Sequence, residues 1–319
     1  MAVESVGASS QRVLVTGVTG LVGRHLAKTL IAAGAQVVGA VRGPVDPLKK
    51  IPGVQYCQVG DIGPATHWDA ALHGVSAIVH AAAHAHVMAP RDTDREAYRI
   101  VNVQGTQALA EAARRSGVAR MLFVSSIKVN GEATPVRAFR ADDTPEPRDA
   151  FGRCKHEAEL ALRATLPAES WVIVRPPLVY GPGMRGNFAR MTELVARGWP
   201  LPFAAIRNRR TLVGVDNLAD LIAAALVHPR ATGRVWLAGD RNDVSTPELV
   251  RAIAAARGMT ARLWSCPPAL LRQMASVVGR GEEIRRLIDS LYLDSTPARE
   301  ELGWAPRTPF AHGLQAALA

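Results

Sequence analysis

The chain has 319 residues, 48% of them hydrophobic, and a formal net charge of +10. Composition on this scale supports a large core and excludes a disordered chain, and no apolar run approaches the length needed to cross a bilayer. The positive balance raises nucleic acid as a partner, but the arginines lie scattered among acids and apolar residues without a basic block or an aromatic stripe, so an anionic small ligand is expected instead.

Residues 1–10, MAVESVGASS, are small and polar and read as a flexible tail, without the basic start and apolar stretch of a secretory signal. Apolar, β-branched runs follow at 12–16, 36–41, 54–58, 77–80, 121–125 and 171–175. Helical periodicity fills the gaps between them, at 21–33, 95–116 and 152–164. Alternation of this length predicts an α/β fold, a Rossmann-type doubly wound parallel sheet, over residues 11–175. Beyond 175 the texture changes: Pro176, Pro177, Pro182, Pro200 and Pro202 interrupt the chain, and shorter helices are predicted at 246–257 and 297–302. Residues 176–319 therefore read mainly as a smaller substrate-binding lobe, with some chain returning to the sheet. Cys57, Cys154 and Cys266 are odd in number and far apart, which gives neither a disulfide framework nor a zinc pattern and fits a reducing cytoplasm.

The first unit opens with VLVTGVTGLVGRHLA. Gly17 permits a tight turn, Gly20 lets backbone approach a pyrophosphate at a helix N-terminus, and Gly23 allows close helix packing; Thr19, Leu21 and Val22 complete the turn. The spacing is G-x-x-G-x-x-G with no GK[ST], which argues for a dinucleotide site and against a nucleotide triphosphatase loop. The second strand ends in VVGAVRG, with Arg42 where an acidic residue would bind ribose hydroxyls. A cation there pairs with a 2′-phosphate, so the expected cofactor is NADP(H) rather than NAD(H).

These features, joined by GDI, HAAA, VNVQGT, VSS and a lysine in DAFGRCKHEAE, make the chain similar to the extended short-chain dehydrogenase/reductase family, the NAD-dependent epimerase/dehydratase group. VSSIKVNGE, VRPPLVYGPG, GNFARM, RNRRTLVGVDNLADLI, STPELV and LGWAP resemble its nucleotide-sugar branch, UDP-glucose 4-epimerase-like proteins that include O-antigen enzymes reducing or epimerising UDP-N-acetylhexosamines at C4. The resemblance implies Asp61 and Ile62 beside the adenine, Ala81, Ala82, Ala83, Pro177 and Leu178 along the cofactor, and Asn102 bracing the site. It implies Ser126 and Lys155 in the chemistry, with Asn187, Phe188 and Arg210 on the uridine diphosphate. It also implies a homodimer paired through the helices at 95–116 and 152–164.

In that family a tyrosine moves the proton of the sugar oxygen, and a lysine one helical turn later lowers its pKa. Here the position one turn before Lys155 holds Phe151. The ring is kept and the hydroxyl is lost. Either the chain is an impaired, ligand-binding copy, or the chemistry runs more slowly without a side-chain acid, or another group supplies the proton, with Lys128, His84, His86, Tyr180 and water as candidates, or the phenylalanine was introduced in place of tyrosine to trap substrate. Lys128 and His84 are expected beside the substrate. The expected activity is 4-keto reduction of a UDP-4-keto-6-deoxy-N-acetylhexosamine, with a UDP-sugar 4-epimerase holding NAD as the alternative. HAAAHAHV offers His80, His84 and His86 but no acidic or cysteine partner, so no metal is expected. Cys154 points off the Phe151/Lys155 face and reads as packing.

Overall fold

The computed structural model describes residues 11–84, 92–134, 136–184, 186–277 and 279–318, with the backbone alone for residues 92–95 and 187. The predicted tail at 1–10 and His86 lie outside the described residues. Elements alternate through the first half: β1 (Arg12–Thr16), α1 (Leu21–Ala32), β2 (Gln36–Val41), β3 (Val54–Gln58), α2 (Asp69–Leu72), β4 (Ala77–His80), α3 (Asp92–Arg99), α4 (Gly105–Arg115), β5 (Arg120–Val124), α5 (Ala150–Thr165) and β6 (Trp171–Arg175). Then come β7 (Leu178–Tyr180), α6 (Asn187–Ala196), β8 (Leu212–Gly214), α7 (Val215–Val227), β9 (Arg234–Leu237), α8 (Thr246–Ala256), α9 (Pro268–Val277), α10 (Gly281–Ile288), α11 (Thr296–Leu302) and α12 (Phe310–Leu318).

Seven strands form one parallel sheet in the order β3-β2-β1-β4-β5-β6-β9. Its inner strands β1, β4, β5 and β6 are apolar on both faces because helices cover both, whereas the edge strand β3, VQYCQ, is only half-buried. Val13 and Val15 of β1 face one layer with α1 and α7, while Leu14 faces the other with α4 and α5. The chain leaves β1 for β2 on one side and returns to β4 on the other, so a crevice opens at the C-terminal ends of β1 and β4.

Two details differ from the sequence reading. The helix expected at 95–116 is interrupted by a wide turn, Ile100–Gln104, with π-helical geometry. The turn lets Gly105 approach Ile62, whose Cγ2 lies 2.5 Å from where a Cβ on residue 105 would stand. The helix expected from 152 starts at Ala150, because the Asp149 side chain caps it by accepting the Gly152 N–H at 2.7 Å. The chain beyond residue 175 divides. β9 joins the main sheet beside β6, and α7 packs on α1. A separate core around Tyr180, Phe188, Phe203 and Ile253 holds the lobe together. Among the described residues, no helix is long and apolar enough to cross a membrane.

Candidate active site

Gly17 follows β1 with φ at +67°, and a Cβ there would stand 2.8 Å from the Ala82 backbone nitrogen. The turn is thus pressed against the segment leaving β4. A Cβ on Gly23 would reach within 2.1 Å of the Gly17 carbonyl oxygen, so only glycine lets α1 start this close to the turn. Gly20 caps α1 without a side-chain hydrogen bond, and no acidic residue occupies the first turn. The free N–H groups of Leu21, Val22 and Gly23 therefore present partial positive charge to an anion, with Thr19 exposed beside them. This cradle fits the diphosphate of a dinucleotide.

At the far edge of the crevice the Arg42 guanidinium sits 3.4 Å from the Asp61 carboxylate, both largely in solvent. Beside them an open depression of about 340 Å³ is lined by Val59, Asp61, Ile62, Gly63 and Ile100 among others. Ala81, Ala82 and Ala83 continue from β4, and Pro177 and Leu178 follow β6, two strands along the sheet beyond β5.

His80 is fully enclosed. Its Nδ1 lies 2.7 Å from Thr16 Oγ1 and its Nε2 lies 3.0 Å from Thr106 Oγ1. The Thr106 hydroxyl donates to the Asn102 carbonyl, so Thr106 accepts from Nε2–H; Thr16 accepts the Ala82 N–H, so its own proton goes to Nδ1. Burial, with help from the Lys155 charge, lowers its pKa to about 3 and keeps it neutral. Both ring nitrogens are committed to structure. Asn102, in the π turn, clamps the next segment: it accepts the His84 N–H at 2.8 Å and donates to the His84 carbonyl at 3.0 Å. The His84 ring stands edge-on to Tyr98 at 5.0 Å, and Tyr98 stands edge-on to Phe151 at 6.4 Å.

Ser126 ends the β5 segment and caps a short turn, its Oγ accepting the Lys128 N–H at 3.3 Å. Phe151, Lys155 and Glu159 share one face of α5 at i, i+4 and i+8. The Lys155 ammonium is buried, donates to the Val124 carbonyl at 2.8 Å, and lies 4.4 Å from the centre of the Phe123 ring and 5.9 Å from that of Phe151. Burial lowers its pKa to about 7, against the opposing pull of Glu159. Lys128 is half-buried and pairs with Asp149 and Glu132. Burial alone would raise the Asp149 pKa, but Lys128 and the Gly152 N–H outweigh it and hold the group below the usual range.

Behind Lys155 is a buried cluster that the sequence reading missed. Glu159 accepts from Arg175 Nε at 2.9 Å and Nη2 at 2.6 Å, and from the Ser125 hydroxyl; Arg175 Nη1 donates to Asn130 at 2.9 Å. Two signals pointed to it: a glutamate one turn after Lys155 on the same helix face, and an arginine closing the apolar run WVIVR.

In the lobe, Arg210 donates from Nη1 to the carbonyls of Arg286 and Asp289, and burial lowers its pKa. Phe188 stacks on Tyr180 at 6.0 Å inside the lobe core, and its backbone N–H lies in the first turn of α6. The side chain of Asn187 lies outside the described residues. Tyr180 is fully buried and its hydroxyl donates to Asp240 at 2.7 Å; burial and the Asp240 charge raise its pKa far above the usual phenol value. That removes it from the candidate acids. Cys154 is buried against Tyr98 and Val103, and burial pushes its thiol up, in keeping with packing. Among the described residues, no group of three metal-ligating side chains occurs.

Residues 13–239 match the NAD dependent epimerase/dehydratase family. A Vibrio cholerae protein called UDP-glucose 4-epimerase is 40% identical over 311 residues, covering 95% of this chain and 93% of that one. A UDP-glucose 4-epimerase of Mycolicibacterium smegmatis is 31% identical over 320 residues, covering 95% and 96%. The crystal structure of a Thermotoga maritima UDP-glucose 4-epimerase with UDP-glucose has the same fold, with a TM-score of 0.76 at 22% identity over 97% of both chains.

Proposed function

The chain belongs to the NAD dependent epimerase/dehydratase family, and on that premise we propose that it is a cytoplasmic oxidoreductase acting at C4 of a UDP-activated hexose. The reading preferred here is reduction of a UDP-4-keto-6-deoxy-N-acetylhexosamine for cell-surface polysaccharide. One observation carries it: Arg42, exposed just after β2 beside Asp61, offers a cation to the 2′-phosphate of the NADPH that a reductase would consume.

A bound nicotinamide cofactor supplies the hydride exchanged with the sugar carbon. The chain does the rest. The N–H groups of Leu21, Val22 and Gly23 hold the diphosphate, Asp61 and Ile62 flank the adenine, and Ala81, Ala82, Ala83, Pro177 and Leu178 line the remainder. Arg42, exposed beside Asp61, supports NADP(H) by offering a cation to a 2′-phosphate. Arg210 and the first turn of α6 at Asn187 and Phe188 hold the sugar nucleotide. Ser126 orients the reacting oxygen. Phe151 brings no proton, and Lys128, half-buried, pairs with Asp149 at the start of α5.

A reductase consumes its cofactor in proportion to substrate. NADPH oxidation with a UDP-4-keto-6-deoxy-N-acetylhexosamine, measured on this chain and on Phe151→Tyr, tests the reading. Turnover that rises in the tyrosine variant supports it; no turnover in either sinks the reductase assignment.

Two other readings each have an observation behind them. The Vibrio cholerae relative favours a 4-epimerase, which would keep NAD bound through purification. Phe151 favours a ligand-binding copy that turns over little, which would bind UDP-sugar tightly without consuming cofactor. A dimer paired through α4 and α5, which pack side by side with Leu160 exposed, belongs to the same proposal and is read from the mass in solution.

A further inference from the structure

Away from the crevice, the lobe carries a surface of another character. Between residues 251 and 280 the only charged residues are five arginines, Arg251, Arg257, Arg262, Arg272 and Arg280. Arg257, Arg262 and Arg280 are exposed and make no ion pair among the described residues. Large apolar side chains stand in solvent in the same stretch: Trp264 is 51% exposed, Leu270 46%, Met274 58% and Val277 83%. The geometry of α9 accounts for three of them. It buries only Leu271 and Ala275, so Leu270, Met274 and Val277, at i, i+4 and i+7, form an outward stripe. The segment before it adds to the surface. Leu201 N–H donates to the Arg262 carbonyl at 2.8 Å and Trp264 N–H to the Leu201 carbonyl at 3.0 Å, an isolated bridge that sets the extended segment bearing Trp264 beside the one that follows exposed Trp199. The Arg197 guanidinium covers the Trp199 ring at 5.7 Å.

Single exposed apolar residues are ordinary, but a helical stripe of them in a stretch that holds arginines and no acid is not. A second copy of the chain would set arginines against arginines on a self-pairing face. An anionic bilayer is complementary to it in both respects. Its headgroups take the guanidinium groups, and its headgroup–acyl boundary takes Leu, Met and Trp side chains. We propose that the face formed by α9 and the 262–264 segment docks the protein on an anionic lipid surface, without insertion of a spanning segment. The proposal does not depend on which reaction the crevice carries out.

Co-sedimentation of the full chain with vesicles of phosphatidylcholine, with and without phosphatidylglycerol, tests it. The chain should sediment with the anionic vesicles alone and be released by salt. The double variant Leu270→Glu/Met274→Glu should lose about tenfold in partitioning, with melting temperature unchanged because both side chains are exposed. Arg257→Glu/Arg280→Glu should lose binding as well. Failure to bind anionic vesicles, or full binding by either pair, overturns the proposal. So does a solution mass that halves in the apolar pair, which would mean that a second copy covers the face.

Discussion

Replacing Lys155 by methionine in the cofactor-free protein is expected to stabilise the fold, by an amount that shrinks as pH rises. The ammonium is buried between Val124, Phe123 and Phe151, and burial brings its pKa from 10.5 to about 7. In the unfolded chain the group returns to its ordinary value. Below about pH 7 it is protonated in both states, and folding carries the whole desolvation cost. Between 7 and 10.5 the unfolded chain binds the extra proton, so stability climbs with pH. Above that window the group is neutral in both states and the cost is gone. A shift of this size corresponds to roughly 5 kcal/mol at about 1.4 kcal/mol per unit. The lost hydrogen bond to the Val124 carbonyl takes back about 1 kcal/mol. Urea unfolding of both proteins near about pH 6 and near about pH 9.5 reads the difference. A gain of roughly 3 kcal/mol or more at the lower pH, much reduced at the higher, supports the reasoning. A difference that does not change with pH, or a loss at both, refutes the account of Lys155 as a desolvated cation.

Glu159→Leu alone should cost about 3–5 kcal/mol, because it leaves the buried Arg175 charge without its partner. Glu159→Leu with Arg175→Met should recover most of that, leaving about 1–3 kcal/mol for the Asn130 oxygen that loses its donor; penalties that simply add would show that the pair is not a unit. Gly23→Ala places a methyl 2.1 Å from the Gly17 carbonyl oxygen, and dinucleotide binding, followed by nicotinamide fluorescence, should be lost or weakened more than a hundredfold, about 3 kcal/mol. Arg42→Asp should reverse the preference between NADP(H) and NAD(H), read as the ratio of the two dissociation constants; an unchanged ratio removes Arg42 from the cofactor site. Phe151→Tyr should raise turnover by about 10²–10⁴ if the missing hydroxyl is what limits it.

The sequence by itself determined what depends on neighbours along the chain. The ends of β1, β2, β4 and β6 agree with the apolar runs, because a strand covered on both faces needs an unbroken run of such residues and a turn on either side; β3, at the edge and half-buried, also lies where expected. Glycine spacing located the tight turn between β1 and α1, since Gly17 needs a positive φ and Gly23 has no room for a side chain. The four-residue step from Phe151 to Lys155 put the two on one helix face. Only the tertiary structure decided the rest. The π turn at Ile100–Gln104 answers to partners far away in sequence, His84 for Asn102 and Ile62 for Gly105. The return of α7 and β9 to the first sheet depends on a free edge beside β6 and an apolar face on α1. The Glu159–Arg175 pair joins a helix to a strand and is stable only because each charge meets the other where water cannot reach. Tyr180 could pass for an acid in the sequence, and it is the packing of the lobe around its ring, with Asp240 on its hydroxyl, that holds its proton back.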